Sequence, residues 1–156
     1  MQFQFNFLGR VGAFLAASLI GAPAWAAQPN IIMIVTDDQG FGDVSLVSPA
    51  VDLATPNIDA LAASGMVFNN FYSNSPVCSP TRASILTGRH SGRAGVPGMI
   101  RSNPTNNWGF LSPHISTLPQ LLQRAGYHTG HIGKWHLGLA SPNLPMTVAM
   151  TTVVAT

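Results

Sequence analysis

The stretch PNIIMIVTDDQGFG, residues 29–42, decides how the rest of the chain is read. Positions 31–36 are a continuous run of apolar and β-branched residues. A run without alternation suits a strand covered on both faces, as in a parallel sheet flanked by helices. Asp37 and Asp38 follow at once and so fall at the strand's carboxyl end. In open α/β sheets that edge is where ligands bind. Next, TPNIDALAASG (55–65) reads as a helix, with Pro56 in the first turn, Ile58, Leu61 and Ala62 on one stripe, and Gly65 at the C′ position. Residues 66–72 alternate enough for a short strand, 73–82 are turn-rich, and 83–87 begin a helix ending at Gly88. The Gly-, Pro- and Asn-rich segment 91–113 reads as a long loop. A second amphipathic helix spans 118–125, with Pro119 early and Gly126 after it, and a strand at 127–132 delivers GKWHLG (133–138) to the sheet edge. This alternation predicts an α/β fold with a mainly parallel sheet and flanking helices. No internal repeat is visible.

Composition narrows the function classes. The chain has 156 residues, 46% hydrophobic and 8% charged, against about 25% charged in soluble domains. That excludes a charged disordered tail and a charge-laced coiled coil, while 15 Gly and 12 Pro interrupt the apolar runs. All five acids are aspartates, at 37, 38, 43, 52 and 59. Beyond residue 60 no carboxylate side chain occurs, against Arg82, Arg89, Arg93, Arg101, Arg124 and Lys134. This positive excess contains no basic run and lies in Gly- and Pro-rich sequence, which argues against a nucleic-acid partner.

The first 26 residues read as an export signal. Arg10 precedes an apolar run from Val11 to Ala22, which closes with Pro23 and the small-x-small pattern Ala24-Trp25-Ala26. The run is shorter than the ~20 residues a membrane span needs, so no stable membrane anchor is expected. The predicted location is periplasmic or extracellular. The remainder divides into 27–145, the body of the domain, and a tail at 146–156.

Cys78 is the only cysteine and cannot form an internal disulfide. It is either an inert buried thiol or a reactive group. Asp37-Asp38 alone is equally open: it could be a solvated turn or cap, or part of a site for a hard divalent cation. The segment Cys78-Ser79-Pro80-Thr81-Arg82 is more specific. It resembles the sulfatase signature C-x-P-x-R, continued by ASILTGR to Arg89. The aspartate pair, the helix at 55–65 and GKWHLG at 133–138 match further sulfatase motifs in order, so the resemblance covers about 29–145.

The resemblance implies an alkaline-phosphatase-like fold and the hydrolysis of sulfate esters. Cys78 would be converted by a separate formylglycine-generating enzyme to formylglycine, whose hydrate attacks sulfur and then re-forms the aldehyde with release of sulfate. A calcium ion would be held by Asp37, Asp38 and residue 78. Arg82, four residues after Cys78 and on the same helical face, would hold the hydrate. Lys134 and His136, alternate residues of an extended segment, would contact sulfate and the aldehyde. Fixed cations of this kind stabilise the charge that builds on sulfate oxygens. His90, His114, His128 and His131 show no ligand spacing and read as structural or surface residues, while Trp108 and Trp135 read as packing residues. A phosphonate or phosphate monoester hydrolase on the same fold, or an inactive secreted fragment, remain alternatives.

Sulfatases are several hundred residues long, with further metal and sulfate ligands downstream. This chain reads as their N-terminal part, truncated after the first strands, and is expected to expose sheet edges and apolar faces. The tail MTVAMTTVVAT shows no helix or strand logic. Back-translated and read two bases later, it admits Asp-Arg-Gly-Tyr-Asp, similar to a sulfatase continuation, which points to one lost base near codon 146.

Overall fold

The computed structural model describes residues 28–48, 52–138, 140–148, 150 and 152–154. The export signal at 1–26 lies outside the described residues. The chain divides into two units, Met1–Val35 and Thr36–Thr156. In the first, residues 28–35 form neither strand nor helix. The side chains of Ile31, Ile32, Met33, Ile34 and Val35 are 46–83% exposed. The predicted strand at 31–36 is therefore not formed. A strand of that composition needs a ladder on its edges and layers on both faces, and the sheet among the described residues has two strands elsewhere.

The second unit carries three helices, α1 (Pro56–Ser64), α2 (Cys78–Thr87) and α3 (Leu118–Arg124). Its strands are β1 (Gly130–Ile132) and β2 (Thr152–Val154), paired in parallel with His131 opposite Val153. Helix α1 starts with Pro56, whose missing N–H would be unsatisfied in a first turn anyway. Asp59 in that turn accepts from Ser45 Oγ at 2.6 Å and Thr55 Oγ1 at 3.1 Å, fastening the preceding loop to the helix. Helix α3 opens with Gln120 Oε1 accepting the Thr117 N–H at 2.9 Å, which satisfies one orphan donor of the first turn.

Three expectations are corrected. Residues 66–72 form no strand, and Met66, Phe68, Phe71 and Tyr72 are 70–83% exposed. The second helix begins at Cys78, not at 83, because Pro80 is tolerated in a first turn. The tail is not featureless: Pro145–Val148 makes a 3₁₀ turn, and Thr152–Val154 is β2. Its β-branched run acquires strand form only through its distant partner β1.

The core is small and unusual in origin. Ala94, Val96, Ile100 and Leu111 come from the long loop, Trp135 and Leu137 from GKWHLG, Val148 and Met150 from the tail, and Ala83 from α2. The loop is ordered by folding back on itself: Phe110 N–H donates to Gly95 O at 3.0 Å and Ser112 N–H to Ala94 O at 2.9 Å. This close approach needs Gly95 and Gly109, at φ 87° and 92°, because a Cβ on either would collide with the facing backbone.

Candidate active site

Helix α2 places Cys78. Val77 is extended at φ −123°, and the turn before the helix is tied by Thr81 Oγ1 donating to Ser75 O at 2.6 Å. Ser79, Pro80 and Ala83 are buried and dock the helix. Gly88 ends it in the left-handed conformation, at φ 63°. Cys78 is thus the first helical residue, half-buried and free of any disulfide. Unpaired N–H groups and the helix dipole favour negative charge there. Arg82 lies one turn along the same helix.

The GKWHLG segment supplies the opposite wall. Trp135 and Leu137 are 8% and 0% exposed and anchor it in the core. The Trp135 indole N–H donates to Asn143 O at 2.7 Å, and its ring meets His131 edge-on at 5.3 Å. Lys134 before them is thereby left exposed and His136 between them half-buried. Lys134 Nζ donates to Asp37 Oδ2 at 3.0 Å. Arg82 donates from Nη1 to the Lys134 carbonyl at 2.7 Å, and its Nη2 lies 3.7 Å from Asp37 Oδ1.

The charges perturb one another. The Lys134 hydrogen bond is the largest influence on Asp37 and lowers its pKa; partial desolvation opposes it, and the charges of Lys134, Arg82 and His136 lower it further. The same bond raises the pKa of Lys134, with Cys78 and Asp37 adding to it and desolvation and Arg82 opposing. His136 Nε2 lies 2.8 Å from Ile100 O. Its Nδ1 and Arg82 Nε are buried without hydrogen-bond partners.

Among the six residues singled out by sequence, the structure joins Asp37, Arg82 and Lys134 in one network beside Cys78. His136 is tied to the loop carbonyl of Ile100 instead. Asp38 takes a left-handed backbone, φ 55°, and makes no ion pair or hydrogen bond with the described residues. For a cation, the two aspartates offer hard oxygens of the right kind. However, both Asp37 oxygens face Lys134 or Arg82, and a calcium shell takes about 6–8 oxygens. No group of three or more His, Cys, Asp or Glu that could hold a metal occurs among the described residues. The donors present among the described residues do not fit a complete calcium site. His90 and His114 are exposed and Trp135 packs; Trp108, expected to pack, is instead 58% exposed.

Sequence reasoning missed Ser79 and Asn74. Ser79 occupies a position the signature leaves free, and its burial is set by the distant loop. Asn74 Oδ1 accepts from Ser84 Oγ at 2.9 Å and Ser91 N–H at 3.0 Å, linking the turn before α2 to the loop after it. No local pattern reports such long-range acceptors.

The sulfatase family model matches residues 29–149, which places this chain in the sulfatase family. It is 40% identical to N-acetylgalactosamine-6-sulfatase of Canis lupus familiaris over 129 residues, covering 80% of this chain and 24% of that protein. It is 44% identical to human arylsulfatase G over 111 residues, covering 71% and 20%. The crystal structure of Ps i-CgsB superposes with a TM-score of 0.73 at 34% identity, over 82% of this chain and 28% of that one. A structure from work on the metabolism of multiple glycosaminoglycans by Bacteroides thetaiotaomicron gives a TM-score of 0.63 at 31% identity, over 77% of this chain and 26% of that one. The chain thus spans about a quarter of the length of these relatives. Its fold class is the α/β, alkaline-phosphatase-like fold of the sulfatases, represented here by helices and a short parallel pair. No helix among the described residues is long and apolar enough to cross a membrane.

Proposed function

We propose that this chain carries the nucleophile-bearing part of an exported sulfate-ester hydrolase. The observation that carries the reading is the placement of Cys78 at the first residue of α2, with Arg82 one turn away and bonded to the backbone of Lys134. Converted to formylglycine by a separate modifying enzyme, residue 78 supplies an aldehyde hydrate as nucleophile. The chain's own residues do the rest. The α2 N-terminus favours an anion at residue 78. Arg82 and Lys134 present two cations where sulfate oxygens gain charge, and Asp37 keeps both aimed before substrate arrives. The leader at 1–26 would send the protein to the periplasm or outside the cell.

The test is mass spectrometry of the peptide holding Cys78 after co-expression with a formylglycine-generating enzyme. Conversion of the thiol to an aldehyde is expected. A peptide that stays wholly a thiol would sink the reading. Turnover of an aryl sulfate in preference to an aryl phosphonate then distinguishes sulfate from phosphonate hydrolysis.

A further inference from the structure

His136 is held in a way the signature residues do not explain. Its backbone is left-handed, at φ 56°, an uncommon conformation for a residue with a side chain. The partner of Nε2 is the Ile100 carbonyl, 2.8 Å away. A carbonyl oxygen can only accept, so Nε2 carries the proton, and in the neutral ring Nδ1 carries the lone pair. That Nδ1 is buried with no hydrogen-bond partner among the described residues.

Residue 100 is itself fixed on three sides. Its side chain is 3% exposed, in the core. Its N–H donates to Ser79 Oγ at 3.2 Å. The peptide group that carries its carbonyl is held from the far side, where the Arg101 N–H donates to Asn107 Oδ1 at 3.2 Å. Ser79 is fully buried and is the residue next to Cys78. A chain of contacts therefore runs from the first turn of α2, through the backbone of Ile100, to the imidazole. None of its intermediate members bears a charge.

We infer that Ser79 is a positioning residue: through the Ile100 backbone it sets the orientation and tautomer of His136, so that Nδ1 is the free acceptor. Asn107 completes the clamp. The unsatisfied Nδ1 is costly in a buried place, which is what a group kept ready for an incoming proton donor looks like. The inference deepens the proposed hydrolase reading at the same site. Its tautomer arm stands apart from that reading, because it needs neither formylglycine nor turnover.

Long-range 1H–15N NMR of the imidazole in the full chain is the test. The wild-type ring is expected as the Nε2–H tautomer; an Nδ1–H ring overturns the inference outright, before any variant is made. Ser79→Ala is expected to raise the Nδ1–H fraction several-fold, and Ser79→Thr, which keeps the hydroxyl, to restore the wild-type signature. If Ser79→Ala does not fold, Asn107→Ala, at a half-buried position, is expected to shift the tautomer in the same direction. Variants that fold with an unchanged tautomer overturn the positioning role. A Cys78 peptide that never becomes an aldehyde counts against the hydrolase reading and leaves the tautomer result as it stands.

Discussion

Two apolar stretches of this chain meet opposite fates. The GKWHLG segment puts Trp135 and Leu137 into the core at 8% and 0% exposure. The segment at 66–72, no less apolar, leaves Phe68, Phe71 and Tyr72 at 70–83%. The difference is the supply of partners. Trp135 and Leu137 find the loop at 94–111 and the tail, both within the second unit. Residues 66–72 have no ladder among the described residues, and propensity for a strand is fitness for a half-buried pleated surface, which must be provided. The candidate site residues Lys134 and His136 belong to the supplied kind, since they are held up by the two buried neighbours between and beside them.

The largest test of this contrast is a pair of substitutions. Leu137→Ala should cost about 2–5 kcal/mol, as a fully buried leucine does when a cavity is left. Phe71→Ser should stay within about 0.5 kcal/mol, as a surface change does, and should raise solubility by shrinking an exposed apolar patch. Urea unfolding midpoints and soluble yield check both. Equal losses of stability would break the contrast. Next in size is Gly109→Ala, at φ 92° and against the Gly95 carbonyl. Strain of that kind costs about 1–3 kcal/mol, read from the same unfolding curves. Trp135→Phe should follow at about 1 kcal/mol, the net worth of the indole hydrogen bond to Asn143 O.

The same principle decides what was legible in the sequence. Helix α1 was readable within a residue or two because Pro56, the stripe of Ile58, Leu61 and Ala62, and Gly65 are local signals. The family was readable because Cys78, Arg82, Lys134 and His136 stand at fixed spacings. The start of α2 was misplaced because Pro80 looks like a breaker when its position in the turn is unknown. The strand at 31–36, the loop-built core and β2 depend on partners far along the chain. The 98° φ of Gly133 and the 56° φ of His136 bend GKWHLG away from the extended segment that was expected to carry Lys134 and His136 on one face, and the link from His136 to Ile100 stayed hidden.

The smallest effect concerns the ion pairs around Asp37, and there pH is a finer probe than overall stability. Asp37 is half exposed and Lys134 41% exposed, so solvent screens the pair. Asp37 has its pKa lowered from 3.8 in the folded chain, chiefly by the Lys134 hydrogen bond. Its contribution is therefore complete above the unfolded value and is lost as pH falls through the lower, folded one. Lys134 has its pKa raised from 10.5, chiefly by the same bond. Its contribution is complete below that value and is lost as pH rises through the higher, folded one. Between the two limits the pair should be flat with pH. Asp37→Asn should remove the alkaline edge and the Asp37 share of the acid edge, while shifting the neutral-pH midpoint little. Wild-type and variant unfolding midpoints measured across the pH range check this. The acid edge that remains belongs to Asp59, whose hydrogen bonds from Ser45, Thr55 and Leu46 lower its pKa as well; an acid edge undiminished in Asp37→Asn would show that the Asp37 pair contributes nothing to it.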